Sequence, residues 1–106
     1  MVLTFFERMR HDCASPPWVA RQRRKIDGGL KEIARLAAHH TWTVGDRFSL
    51  GDVATGTVLG YMSVRFPEIA WRTDYPNLAA LSDRLAQGAS FKDSAPYAQT
   101  ITDKIV

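Results

Sequence analysis

The sequence predicts an all-α fold, a bundle of about five helices in one domain that covers residues 1–106. Apolar residues recur at helical spacing over several segments, and prolines and capping residues stand where such helices would begin. No segment alternates apolar and polar residues over more than four positions, so no β-sheet is expected. A chain of this length can bury one hydrophobic core.

The first predicted helix covers Val2 to about Arg10 and has no start signal. No Ser, Thr, Asp or Asn precedes it, and apolar residues begin at the second position. We therefore expect this helix to be truncated and the natural chain to begin further upstream.

The second predicted helix begins after Ser15, where Pro16 and Pro17 follow, and extends to about His39. Proline is favoured in the first turn of a helix because its missing amide has no partner there. One face of this helix is apolar: Val19, Ile26, Leu30, Ile33 and Ala37. The opposite face is charged: Arg21, Arg24, Lys31, Glu32 and Arg35.

Two features lie within the second helix. Arg23 and Asp27 are one turn apart and are expected to pair. Gly28 and Gly29 cost roughly 1 kcal/mol each relative to alanine in a helix interior. The glycines therefore indicate either a locally weak helix or another backbone packed closely against it.

Ser49 and Asp52 have the spacing of a capping box and predict the start of the third helix. Phe48 and Val53 flank the box in the positions of a hydrophobic staple. The helix continues to Pro67 and is apolar nearly all round, which is typical of the central helix of a bundle.

Within this third helix, Asp52 is the only charge before Arg65. We expect the Asp52 carboxylate to be buried and held by the amides that it caps. Gly56 and Gly60 lie four residues apart and would let a neighbouring helix approach closely.

The remaining segments predict a loop, a helix and a final short helix. The loop covers Glu68 to Tyr75, and Pro76 opens a helix that Gly88 ends. The inward residues of this helix are Leu78, Leu81 and Leu85, and the outward ones are Asp83 and Arg84. Ser90 and Asp93 repeat the capping-box spacing and predict the short helix, which Pro96 closes.

Charge, hydropathy and cysteine content narrow the function classes. Fourteen Lys and Arg against eleven Asp and Glu give a net charge of +3, and much of the excess lies in residues 21–25. Nucleic-acid binding would need a wider basic face, so a solvated helix surface is the preferred interpretation of this run. No apolar stretch is long enough for a membrane span or a signal peptide. Cys13 is the single cysteine, which favours the cytoplasm.

The segment Gly45 to Ala54 resembles glutathione transferase C-terminal domains, in which a glycine turn and Phe-Ser-x-x-Asp open the buried central helix. Tyr75 to Leu81 and Ala89 to Asp93 are similar to the late helices of the same family. Their order and spacing also match, and their composition is of a bacterial type. Gly51 replaces the usual alanine, and Gly88-Ala89 replaces a frequent Arg-Pro.

The resemblance implies half of an enzyme that conjugates or reduces electrophiles with glutathione in detoxification. The family's N-terminal thioredoxin-like domain, which holds the glutathione thiolate, has no counterpart in these residues. The resemblance further implies glutathione as co-substrate, a homodimer, no cofactor on this chain alone and no catalytic residue within it. Phe5, Arg8 and Met9 are the expected wall of the electrophile pocket. The alternative is that Phe5 and Met9, four residues apart, belong to the core.

Other chemistry is less well supported by the sequence. Cys13 before a helix start would favour a thiolate nucleophile, but no basic partner is fixed beside it, so a plain free thiol is preferred. His11, His39 and His40 would be metal ligands only if they converged, and cations at a helix C-terminus explain the adjacent pair without metal.

The resemblance to this family is consistent with two classes of function. The first is the C-terminal domain of a transferase, inactive by itself. The second is a protein-interaction module, because this helical domain also occurs fused to translation factors and tRNA synthetases. A thioredoxin-like sequence upstream would favour the enzyme.

Overall fold

The computed structural model describes residues 1–10 and 14–102, and these form six helices without a β-strand. The helices are α1 (Val2–Arg8), α2 (Pro16–Ala37), α3 (Leu50–Arg65), α4 (Trp71–Asp74), α5 (Pro76–Ala86) and α6 (Ala89–Asp93). The all-α prediction is therefore confirmed, with one more helix than the approximate number expected. In the part of the chain described, no helix combines the length and hydropathy needed to cross a membrane.

The first of two compact units comprises Met1–Leu30 and Gln99–Val106. It contains α1 and the first part of α2. Among the described residues of this unit, three are buried: Thr4, Ile26 and Leu30. The Arg23–Asp27 pair forms as predicted, with Arg23 Nε donating to Asp27 Oδ1 at 3.0 Å.

The second unit comprises Lys31–Ala98 and contains the end of α2 with α3 to α6. Helix α5 contacts α3, α4 and α6, so it is the helix on which most of this unit packs. The buried apolar residues are Ala34, Ala37, Leu59, Met62, Phe66, Ile69, Trp71, Leu78, Leu81 and Leu85. The three leucines predicted to face inward from α5 are all among them.

Helix α3 differs from the central helix that the sequence predicts. Its buried residues are Asp52, Thr55, Leu59 and Met62, which share one face. Leu50 and Val53 on its first turn are exposed, Leu50 to 81%. The reason is that the second unit covers only one face of a helix that is apolar on several.

Two local predictions in this unit are wrong. The expected loop before Pro76 contains α4, because Trp71 is buried and the chain turns helically around it. The expected capping box at Ser90 is not the start of α6, since Gly88 is the N-cap and its carbonyl accepts the amide of Lys92. Ser90 therefore lies inside the first turn, where its side chain has no capping position.

The glycines of α2 and α3 have opposite surroundings. A Cβ added to Gly56 would lie 2.6 Å from Phe91 Cε1 and 2.8 Å from Leu85 Cδ1, so the predicted close approach occurs there. At Gly28 and Gly29, apart from the chain neighbours and the backbone of the helix itself, no heavy atom of the described residues lies within 4 Å of an added Cβ. Within that part of the chain, no backbone packs against the α2 glycines.

Candidate functional site

The three residues predicted to line a pocket lie at the end of α1. Phe5 and Arg8 are on the helix, and Met9 is its C-cap. Phe5 and Met9 are half-buried and Arg8 is exposed. Phe5 also packs edge-to-face on Phe6, with ring centroids 5.4 Å apart. The structure thus places two apolar side chains and one cation on a single helical turn, with none of them fully buried.

Glu7, on the same turn, organises its surroundings in a way that sequence reasoning missed. Its Oε1 accepts the Ser15 amide at 2.9 Å, and its Oε2 accepts Arg10 Nη1 at 3.1 Å. The Ser15 hydrogen bond, and after it that of Arg10, hold the pKa of the Glu7 carboxyl below its ordinary value. The spacing of Glu7 and Arg10 would have indicated the ion pair, but not the bond to Ser15.

The capping box of α3 is present and Asp52 is fully buried, as its sequence context predicts. The Ser49 amide donates to Asp52 Oδ2 at 2.8 Å. The other carboxylate oxygen accepts the Thr43 amide at 2.7 Å, a partner that the sequence does not reveal. Asp52 therefore attaches the preceding loop to the helix start.

The electrostatics of Asp52 follow from these contacts. Burial by itself would raise the pKa of this carboxyl, but the hydrogen bonds that Thr43 and Ser49 donate to it outweigh the effect of burial. The pKa consequently lies below its ordinary value. At neutral pH the group is therefore a charged acceptor rather than an acid or base poised to exchange a proton.

Arg84 also contacts the loop before α3. This arginine, predicted to face outward, lies over the Trp42 ring at 5.4 Å and donates to the Thr41 carbonyl. Trp42 also contacts the Phe48 ring edge-to-face at 5.4 Å. Phe48, expected to form a staple with Val53, is thus part of an aromatic pair that Arg84 extends.

A groove of about 450 Å³ lies within the second unit. Its walls come from α3, α5 and the segment around α6, and they are mainly apolar. The large side chains that line the groove are Tyr61, Leu85, Phe91 and Pro96. The two α3 glycines, Gly56 and Gly60, also line it and bring Phe91 and Pro96 close to the helix backbone.

Among the described residues, the remaining sequence candidates do not come together in a site. His39 and His40 are exposed, and among the described residues no group of three His, Cys, Asp or Glu could hold a metal ion. His11 and Cys13 lie outside the described residues. The basic run on α2 presents exposed Arg21, Arg24 and Lys25 to solvent.

Comparison with protein families identifies one match. The family described as the glutathione S-transferase C-terminal domain matches residues 16–84. Among curated protein sequences, no match to this chain is found.

Two solved structures resemble the chain closely. A glutathione S-transferase from Methylobacterium radiotolerans JCM 2831, in complex with glutathione sulfonate, is 68% identical with a TM-score of 0.94. The alignment covers 99% of this chain and 50% of that protein. A glutathione S-transferase from Methylobacillus flagellatus KT, with glutathione bound, is 33% identical with a TM-score of 0.86, covering 90% and 48% respectively. The chain thus spans about half the length of each.

Proposed function

The chain belongs to the glutathione S-transferase C-terminal domain family, and from this membership we propose that it forms one wall of the electrophile pocket in a glutathione transferase. The observation that carries the proposal is the 68% identity, over 99% of the chain, to half of a transferase that binds glutathione sulfonate. The parent enzyme would conjugate or reduce electrophiles with glutathione and so remove them.

In this proposal the chain contributes surroundings rather than reacting groups. Phe5 and Met9 offer an apolar surface that displaces water from a bound electrophile, and a dry site makes a neighbouring thiolate more reactive. Arg8 offers a positive charge to electron-rich substituents on the electrophile. The thiolate itself would be held by the N-terminal half, as the family resemblance implies.

The parent enzyme would work as a cytoplasmic homodimer. Support for the compartment comes from the single cysteine, since reducing compartments rarely contain structural disulfides. The subunit number follows from the family resemblance.

The experiment joins this chain to the N-terminal half of the Methylobacterium radiotolerans relative. Turnover of a nitro-activated aryl chloride with glutathione is measured for the hybrid and for the chain alone. We expect activity from the hybrid and none above the uncatalysed rate from the chain. If a folded hybrid is inactive, the proposal is wrong and the interaction-module alternative gains support.

Substitutions at the wall sharpen this test. Phe5→Ala and Met9→Ala should raise the KM for the electrophile and leave the KM for glutathione unchanged. Leu3→Ala is the matched control, because Leu3 is on the same helix, is 72% exposed and points away from Phe5 and Met9. If all three variants change the KM for the electrophile equally, Phe5 and Met9 do not form the wall of the pocket.

A further inference from the structure

Arg8 and Met9 lie in a turn whose flanking residues, Glu7 and Arg10, are hydrogen-bonded to each other. The Arg10 amide donates to the Glu7 carbonyl at 3.2 Å, and Arg10 Nη1 donates to Glu7 Oε2 at 3.1 Å. Backbone and side chain therefore both close the same turn. Arg8 and Met9 lie between these two fixed points.

A third bond connects this turn to a residue further along the chain. Glu7 Oε1 accepts the Ser15 amide at 2.9 Å, one residue before α2 begins at Pro16. The Glu7 side chain is only 15% exposed, and both of its oxygens are used. An isolated ion pair on a helix surface restrains little, whereas this carboxylate joins the end of α1 to the start of α2.

We infer that Glu7 is a positioning residue, which sets the shape of the electrophile pocket by fixing the turn that carries Arg8 and Met9. The inference rests on the proposed function, because it needs the wall formed by these residues. It adds a specific role for a carboxylate that does not itself face the electrophile. A displaced pocket wall weakens the positioning of the electrophile. Glutathione would keep its own contacts, because the family resemblance places its binding residues in the N-terminal half.

The test compares Glu7→Ala and Glu7→Gln in the hybrid transferase. The control is Glu32→Gln, since Glu32 also pairs with an arginine three residues away, at 2.6 Å, but on the exposed face of α2. We expect Glu7→Ala to raise the KM for the electrophile roughly tenfold, with the KM for glutathione unchanged. Glu7→Gln keeps one acceptor oxygen and should recover part of the loss, and the control should behave like the unsubstituted hybrid.

A second readout uses the chain alone. Hydrogen exchange at the Ser15 amide should be faster in Glu7→Ala than in the unsubstituted chain, because its acceptor has been removed. An active hybrid in which Glu7→Ala lowers the melting temperature but leaves both KM values unchanged would overturn this inference and leave the proposed function intact. An inactive unsubstituted hybrid would overturn both.

Discussion

The Asp52 side chain connects the start of α3 to the loop that precedes it. Its two oxygens accept amides from Ser49 and Thr43, which are three and nine residues earlier in the chain. One bond caps α3, and the other fixes the loop that precedes it. Removing the carboxylate therefore leaves two amides without their acceptor, one of them from the buried residue Thr43.

Asp52→Ala should lower the free energy of unfolding, measured by urea denaturation. Loss of a cap costs about 0.5–2 kcal/mol, and the buried Thr43 amide moves the expected cost toward the upper end. Glu32→Ala is the control, because its pair with Arg35 is exposed and should contribute little. If the two variants are equally stable, Asp52 does not hold the loop.

Asp52 should also give the protein a specific dependence on acid. Its pKa is lowered in the folded state, so the folded state favours the charged form more than the unfolded state does. The resulting stability is present above the ordinary carboxyl pKa of about 3.9 and is lost as pH falls through the lower folded value. The stability difference between the native chain and Asp52→Asn should therefore shrink below about pH 4. A difference that is constant in denaturation series across this range would contradict the assignment.

At the scale of helices, glycine has opposite effects in α2 and α3: it weakens α2, whereas it allows close packing against α3. The α2 glycines weaken the helix, since nothing within the described residues uses the space beside them. Gly56 in α3 gives room to Phe91 and to the buried Leu85. The sequence indicates flexibility or close packing at each glycine, and the surroundings determine which of them applies.

Alanine substitutions should separate these two roles. Gly28→Ala should stabilise the protein by roughly 1 kcal/mol, because alanine is the better helix former and its Cβ meets no described atom. Gly56→Ala should destabilise it, since overpacking a core typically costs about 1–3 kcal/mol and outweighs the gain in helix propensity. Thermal melts of both variants provide the measurement, and shifts of the same sign would contradict this account.

At the scale of the whole molecule, large apolar residues are exposed in both compact units. Leu3 and Phe6 are exposed in the first unit, and Val44, Phe48 and Leu50 in the second. Its solved relatives are about twice as long. Exposed large apolar side chains favour association where they form a patch.

We therefore predict that the chain alone self-associates and binds a hydrophobic dye. Sedimentation at rising concentrations should show species larger than the monomer, and Leu3→Glu or Leu50→Glu should reduce both association and dye fluorescence. Thr73→Glu is the control for added charge, because Thr73 is also exposed. A strict monomer without dye binding would contradict the prediction.

The sequence by itself determined the all-α class and the starts of α2, α3 and α5. Pro16, Pro76 and the Ser49–Asp52 spacing act within one helical turn, so their effect does not depend on distant residues. The 3.6-residue periodicity of α5 likewise identified its buried leucines. These local signals were sufficient for the fold class and for the resemblance to the family.

Only the tertiary structure decided the contacts between residues that are distant in sequence. Arg84 meets the Thr41 carbonyl 43 residues away, and the Asp52 carboxylate meets the Thr43 amide across a loop. The bond from the Ser15 amide to Glu7 and the exposure of one apolar side of α3 also depend on how the chain turns. Sequence periodicity identifies a face of a helix, but the packing of neighbouring elements determines what covers that face.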